Sequence, residues 1–179
     1  TPVVLMGYLN PIEIHGYAKF ASEAVAAGVD GVLLVDCPLE ESATIKPLAD
    51  AGLHRIFLAA PTTHDARLAA LTREAGGFLY YVSFAGVTGA NRLDLAPVRA
   101  RVGAIKALAP ALPVAVGFGV RDAASAVAIA EFADAVVIGS ALVEHLANSS
   151  PAAAVTVAAR DFLAPIRKAL DARPARHAA

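Results

Sequence analysis

The stretch "GVLLVDCPLEESATIKPLADAGLHRIFLA", Gly31 to Ala59, holds one complete structural period. Its opening "GVLLV" (Gly31 to Val35) and closing "RIFLA" (Arg55 to Ala59) are short apolar runs without polar alternation. A parallel strand covered on both faces reads this way. Between them Ile45, Leu48 and Ala49 recur at the spacing of one helix face. Gly52 then stands where a helix C-terminus takes a left-handed residue. The period is strand, loop, helix, strand.

Working outward, the same period repeats along the chain. Further strands are expected at "VVLM" (Val3 to Met6), "FLYYV" (Phe78 to Val82), "PVAVG" (Pro113 to Gly117) and "AVVIG" (Ala135 to Gly139), which makes six in all. Helical spacing recurs at Tyr17, Phe20 and Ala24, and again at Val98, Val102, Ile105 and Leu108. Gly28 suits a helix C-terminus, Pro97 a first helical turn, and Pro110 a helix end. After the last strand come a short segment from Ala141 to Leu146, a break at "NSSP", and a final helix of roughly twenty residues that Pro165 is expected to kink. Residues 1–172 read as one domain, and 173–179 as a tail expected to fray.

Strict alternation of strand and helix allows an open doubly wound sheet or a (β/α)8 barrel. No GxGxxG follows the first strand, so a dinucleotide-binding sheet has no support. A barrel needs eight strands and about 250 residues. Six strands in 179 residues would leave two open edges, which natural sheets avoid. The reading is a partial TIM (β/α)8 barrel, strands 3 to 8 with their helices. Two preceding βα units of roughly 70 to 100 residues are expected. Thr1 leads straight into "PVVLM" without an initiator methionine or a secretory signal, which agrees with a start inside a longer protein.

Bulk properties narrow the function. With 15 basic and 16 acidic residues, dispersed, the chain has no electrostatic footprint for nucleic acid. The hydrophobic fraction is 57%, but charged residues or glycine interrupt every run before the roughly 18 residues of a membrane span. No membrane partner is expected. Cys37 is the single cysteine, and no Cys/His cluster has metal-ligand spacing, so a reducing cytoplasm fits.

In a barrel the loops after the strands form the active face. Here they are "GYLNP", "DCPLEES", "APTTHD", "SFAGVTG", "GFGVRD" and "GSALV". The last three are Gly-rich and poor in charge, and backbone N–H groups at a helix start can face an anion. Gly117, Phe118 and Gly119 with Gly139 and Ser140 fall where barrels frequently hold a phosphate. Other residues read more blandly. Asp36 reads as a polar strand terminus, Glu40 and Glu41 as first-turn acids, and Cys37 as a small core residue. His15, His54, His64 and His145 lack paired metal spacing.

The segments "GVLLVDCPLEES", "YYVSFAGVTGANR", "VGFGV" and "VIGSALV" resemble the tryptophan synthase α subunit, in order from Thr1 to about Leu170. The resemblance implies a lyase of tryptophan biosynthesis, which cleaves indole-3-glycerol phosphate to indole and glyceraldehyde 3-phosphate by a retro-aldol reaction. It implies an α2β2 assembly in which indole passes to a β subunit that carries pyridoxal phosphate, with no cofactor in the α subunit. It places Gly89, Gly119, Gly139 and Ser140 at the phosphate, and Phe118, Tyr8 and Leu58 along the substrate pocket. Tyr80, taken as the inward member of the Tyr80/Tyr81 pair, stands near the reacting centre, and Thr88 orders a catalytic aspartate. Asn10, Pro11 and Pro38 face the β subunit. The family's catalytic glutamate and aspartate are expected before Thr1, so this chain alone is expected to be inactive. Two alternatives remain: another phosphate-binding barrel enzyme, such as a sugar-phosphate isomerase or synthase, or a non-catalytic piece that binds phosphate ligands or docks on a β subunit.

Overall fold

The computed structural model describes residues 1–83, 95–117, 119–147, 149 and 152–174. Strands β1 (Val4–Gly7), β2 (Gly31–Leu34), β3 (His54–Ala59), β4 (Leu79–Val82), β5 (Val114–Gly117) and β6 (Ala135–Val137) form one sheet in sequential order. Every neighbouring pair is parallel. The connections carry α1 (Leu9–His15) and α2 (Tyr17–Ala26), then α3 (Lys46–Asp50), α4 (Asp65–Glu74), α5 (Ala96–Leu108) and α6 (Ala123–Ala130). After β6 come α7 (Ser140–Leu146) and α8 (Ala152–Asp171). Six parallel strands with their helices make a partial (β/α)8 barrel.

The helix ends explain part of this regularity. Behind α2, Gly28 has φ 82° and donates to Val25 O, while Val29 N–H reaches Ala24 O. Behind α3, Gly52 has φ 91° and donates to Ala49 O, while Leu53 N–H reaches Leu48 O. Both are Schellman closures, in which a left-handed residue without Cβ lets two N–H groups fold back on the last turn. Each delivers the chain into the next strand.

Sheet register fixes what faces where. Leu79 and Tyr81 of β4 and Val114 and Val116 of β5 pack with Leu68 and Leu71 of α4, Val98, Val102 and Ile105 of α5, and Ile129 of α6. A second cluster joins Ile12, Ala21, Ala24, Val32, Leu34, Ile45 and Leu48 around β2. Each large aliphatic buried there contributes roughly 1.5–3 kcal/mol. The alternate residues form the concave face. There Leu58, Tyr80, Ala115 and Ala135 lie in one register row, and Val82, Gly117 and Val137 in the next.

Strand ends differ from expectation by one or two residues. β1 begins at Val4 because Val3 is engaged by Asp30: its N–H donates to Asp30 Oδ2 at 2.7 Å and its carbonyl accepts Asp30 N–H at 2.9 Å. β6 ends at Val137, two residues before Gly139. The expected cover on both faces fails for β1, where Val4, Leu5 and Met6 are exposed, because among the described residues β2 is its one strand neighbour. Glu40 and Glu41 fall in a short 3₁₀ turn, Leu39–Glu41, not in an α-helix. α8 runs as one helix of 20 residues with Pro165 inside it, and Arg173, in the expected tail, donates to the carbonyl of Ala130 at the end of α6. Among the described residues no helix is long and apolar enough to cross a membrane.

Asp122 starts α6 with a capping box. Its Oδ1 accepts Ser125 N–H at 2.8 Å, and Ser125 Oγ accepts Asp122 N–H at 3.2 Å. The backbone bond from Ser125, then its hydroxyl, hold the Asp122 carboxyl below the ordinary carboxylate range. Asp122→Ala is expected to cost about 1 kcal/mol in urea unfolding at neutral pH. The folded pKa lies below the unfolded value of about 3.9, so this contribution is present above that pH and fades as pH falls through the folded value. The gap between wild type and variant should therefore close progressively below about pH 4; a gap that persists unchanged there would refute the cap.

Candidate functional site

The C-terminal ends of the strands gather most of the described candidate residues. Tyr80 is half-buried on the concave face, and Tyr81, 2% exposed, faces α4 and α5 as expected from strand alternation. Burial alone pushes the Tyr80 hydroxyl up from its ordinary pKa, so it stays a neutral donor at physiological pH. Leu58 is its register partner on β3.

Gly117 explains how the ring fits. A Cβ there would sit 2.6 Å from Cε2 and 2.8 Å from Cζ of Tyr80, and closer still to its hydroxyl. The Tyr80 ring thus lies across the Cα of Gly117, and only glycine leaves the room. Sequence reading assigned Gly117 to the phosphate loop and missed this contact, because a strand-end glycine does not name its neighbour.

The loop residues separate into three groups. Gly119 has φ 67° and is exposed beside β5. Gly139 caps α7, with nothing within 4 Å of where a Cβ would stand, and exposed Ser140 opens that helix. Among the described residues nothing covers Gly139 on that side. Thr88, Gly89 and Phe118 lie outside the described residues.

A pocket of about 360 Å³ opens at the ends of β2 and β3, lined by Leu34 through Leu39, Phe57, Leu58, Arg67 and Leu71. Leu58 and Pro38 meet there. Tyr8, by contrast, is 62% exposed at the start of α1, and Asn10 and Pro11 lie on the outer side of that helix while Ile12 turns inward. Residues 8, 10 and 11 thus belong to the β1 end of the sheet, outside the pocket lining but beside it, since Leu9 is bonded to Asp36 of that lining.

Two carboxylates and the thiol have structural work. Asp36 is more than a polar strand end: its Oδ1 accepts the N–H of Leu9 at 2.7 Å and so holds the start of α1 from the next unit. Glu40 pairs with Arg67, which holds its carboxyl below the usual range. Cys37 is buried; desolvation, then Glu41 and Asp36, push its thiol up, which disfavours the reactive thiolate. Among the described residues no three His, Cys, Asp or Glu side chains group as a metal site.

The described residues define a partial (β/α)8 barrel with a concave tyrosine and with Gly119 and Gly139 in the loops at the same end. The chain belongs to the tryptophan synthase alpha chain family: the family model of that description matches residues 1–169. It is 56% identical over 173 residues to the tryptophan synthase alpha chain of Xylella fastidiosa (strain M12), which covers 96% of this chain and 64% of that relative. It is 57% identical over 174 residues to the alpha chain of Xanthomonas campestris pv. campestris (strain B100). The crystal structure of the alpha chain from Legionella pneumophila subsp. pneumophila superposes with a TM-score of 0.85 at 40% identity, covering 98% of this chain and 65% of that one. A chain of the tryptophan synthase a2b2 complex from Pyrococcus furiosus gives 0.82 at 34% identity, covering 94% and 67%. The chain spans about 64% of the length of the Xylella and Xanthomonas relatives.

Proposed function

We propose that this chain carries the substrate-binding part of an α-subunit site that cleaves indole-3-glycerol phosphate to indole and glyceraldehyde 3-phosphate. The observation that carries the reading is the Tyr80–Gly117 contact beside Leu58, a shaped apolar surface next to two Gly-rich loops on the barrel's active end. In this reading Leu58, Tyr8 and Phe118 line the indole side, and Tyr80 stands near the reacting centre. The backbone of Gly89, Gly117, Gly119 and Gly139 with the Ser140 hydroxyl takes the phosphate, whose charge suits N–H donors at loop and helix starts. Thr88 orders a carboxylate.

Retro-aldol cleavage needs an acid to protonate the indole carbon and a base to take the glycerol hydroxyl proton, each worth typically 10²- to 10⁴-fold. The two concave rows, Leu58, Tyr80, Ala115, Ala135 and Val82, Gly117, Val137, hold no carboxylate. Asp36 is committed to Leu9. In this reading the described concave rows contribute binding surface, and proton transfer falls to a glutamate and an aspartate outside them. Asn10, Pro11 and Pro38 face a β subunit in an α2β2 complex, and pyridoxal phosphate belongs to that partner. A cytoplasmic setting suits this biosynthetic role.

Calorimetric titration with indole-3-glycerol phosphate tests the reading, with glycerol phosphate and inorganic phosphate as comparison ligands. Binding at least 10-fold tighter than inorganic phosphate, without release of indole, is expected. No binding, or equal affinity for all three ligands, would overturn it, and tighter binding of a sugar phosphate would favour another phosphate-binding barrel enzyme.

A further inference from the structure

The two loops that flank the pocket are each held by an arginine from the helix of the next βα unit. On α4, Arg67 reaches back to the β2–α3 loop and takes both oxygens of Glu40, Nη1 to Oε1 at 2.6 Å and Nη2 to Oε2 at 3.2 Å. On α5, Arg101 reaches back to the β3–α4 loop. Its Nη1 donates to Asp65 Oδ1 at 2.7 Å, and its Nη2 donates to the main-chain carbonyl of Thr63. The Arg101 side chain is only 21% exposed.

The loop passes the constraint on. Thr63 Oγ1 accepts the N–H of Ala60 at 2.9 Å, and Thr63 N–H donates to Ala60 O at 2.9 Å. Ala60 follows the end of β3, two residues from Leu58 in the pocket wall. Arg67 lines that pocket itself. A guanidinium suits both clasps because its rigid fork engages two acceptors at once, which a lysine ammonium cannot reproduce.

We propose that Arg67 and Arg101 are positioning residues that clasp the β2–α3 and β3–α4 loops around the pocket and, through Leu58, which the pocket wall shares with the concave row of Tyr80, set affinity for the organic part of a phosphorylated substrate. Neither acts on the substrate's reacting atoms. Exposed ion pairs add little to global stability, so the clasps act on local loop order. The role in affinity rests on the function proposed above, whereas the clasps themselves are independent of it.

The test is hydrogen exchange on the 179-residue chain, comparing wild type with Arg67→Gln, Arg101→Gln, the double variant and Arg101→Lys, alongside titration with indole-3-glycerol phosphate. Amides 39–44 should exchange at least 10-fold faster in Arg67→Gln, and amides 60 and 62–66 in Arg101→Gln, with β4 and β5 amides unchanged as the internal control for folding. Substrate affinity should fall roughly 5- to 10-fold in each single variant, and Arg101→Lys should lie between wild type and Arg101→Gln. Unchanged loop exchange overturns the clasps. Faster loop exchange with undiminished substrate affinity overturns their role at the site. If wild type binds no indole-3-glycerol phosphate, the functional reading fails, and loop exchange alone still decides the clasps.

Discussion

Replacing Gly117 with alanine is expected to weaken the proposed binding of indole-3-glycerol phosphate by about 100-fold, close to 2.7 kcal/mol. The new Cβ would stand 2.6 and 2.8 Å from two ring carbons of Tyr80, far inside the roughly 3.5–4.0 Å at which carbon atoms rest. Something has to move. The backbone of β5 is bonded to β4 on one side and β6 on the other, and Val114 and Val116 fix its outer face in the core. The ring therefore yields, away from β5 and into the concave space next to Leu58 that the substrate would use. Overpacking adds a stability cost of about 1–3 kcal/mol. Tyr80→Phe should not relieve the clash, because the ring carbons remain, whereas Tyr80→Ala in the Gly117→Ala background should restore most of the lost stability. A double-mutant cycle checks this by urea unfolding. Additive effects of the two substitutions would show that the ring and the glycine do not compete for one space.

That contact also shows what the sequence could and could not reveal. Apolar runs of four or five residues separated by helix-length segments located every strand, since a buried parallel strand and an amphipathic helix differ in period. Gly28 and Gly52 marked helix ends because their requirement is local, a backbone conformation set within four residues. β1 was misjudged for the opposite reason. "VVLM" is no less apolar than "GVLL", yet Val4, Leu5 and Met6 are exposed and the β2 residues buried, because burial depends on a strand's place in the sheet. The site divides in the same way. Tyr80 could be placed by strand alternation once one neighbour was assigned inward, whereas its dependence on Gly117 spans 37 residues, as does the hold of Asp36 on Leu9 across 27. Arg67 and Arg101 were invisible for the same cause: nothing in spacing tells which carboxylate or carbonyl of an earlier unit a long side chain will reach.

The second large effect is expected at Asp134, whose replacement by alanine should destabilise the chain by about 3 kcal/mol, a combination of one orphaned buried donor and one lost charged contact. Asp134 Oδ2 accepts the N–H of Val114 at 2.8 Å, Asp134 N–H donates to Val114 O at 2.9 Å, and Oδ1 meets Lys106 Nζ at 2.5 Å. Val114 is fully buried, which limits the access of water to its N–H once the carboxylate is gone. For a chain of this size the loss corresponds to a fall in Tm of roughly 6–12 °C. Asp30 supplies the control, because it makes the same two-way bridge to Val3 at the other end of the sheet. Val3 is 46% exposed, and water can satisfy its N–H once the carboxylate is gone. Asp30→Ala should accordingly cost only about 0.5–1 kcal/mol. Asp134→Asn keeps an oxygen acceptor for Val114 and loses mainly the half-exposed pair with Lys106, so it should cost about 1 kcal/mol or less. Urea unfolding of the three variants orders them, and an Asp134→Ala loss no larger than that of Asp30→Ala would mean that burial of the strand donor does not decide the energy of the bridge.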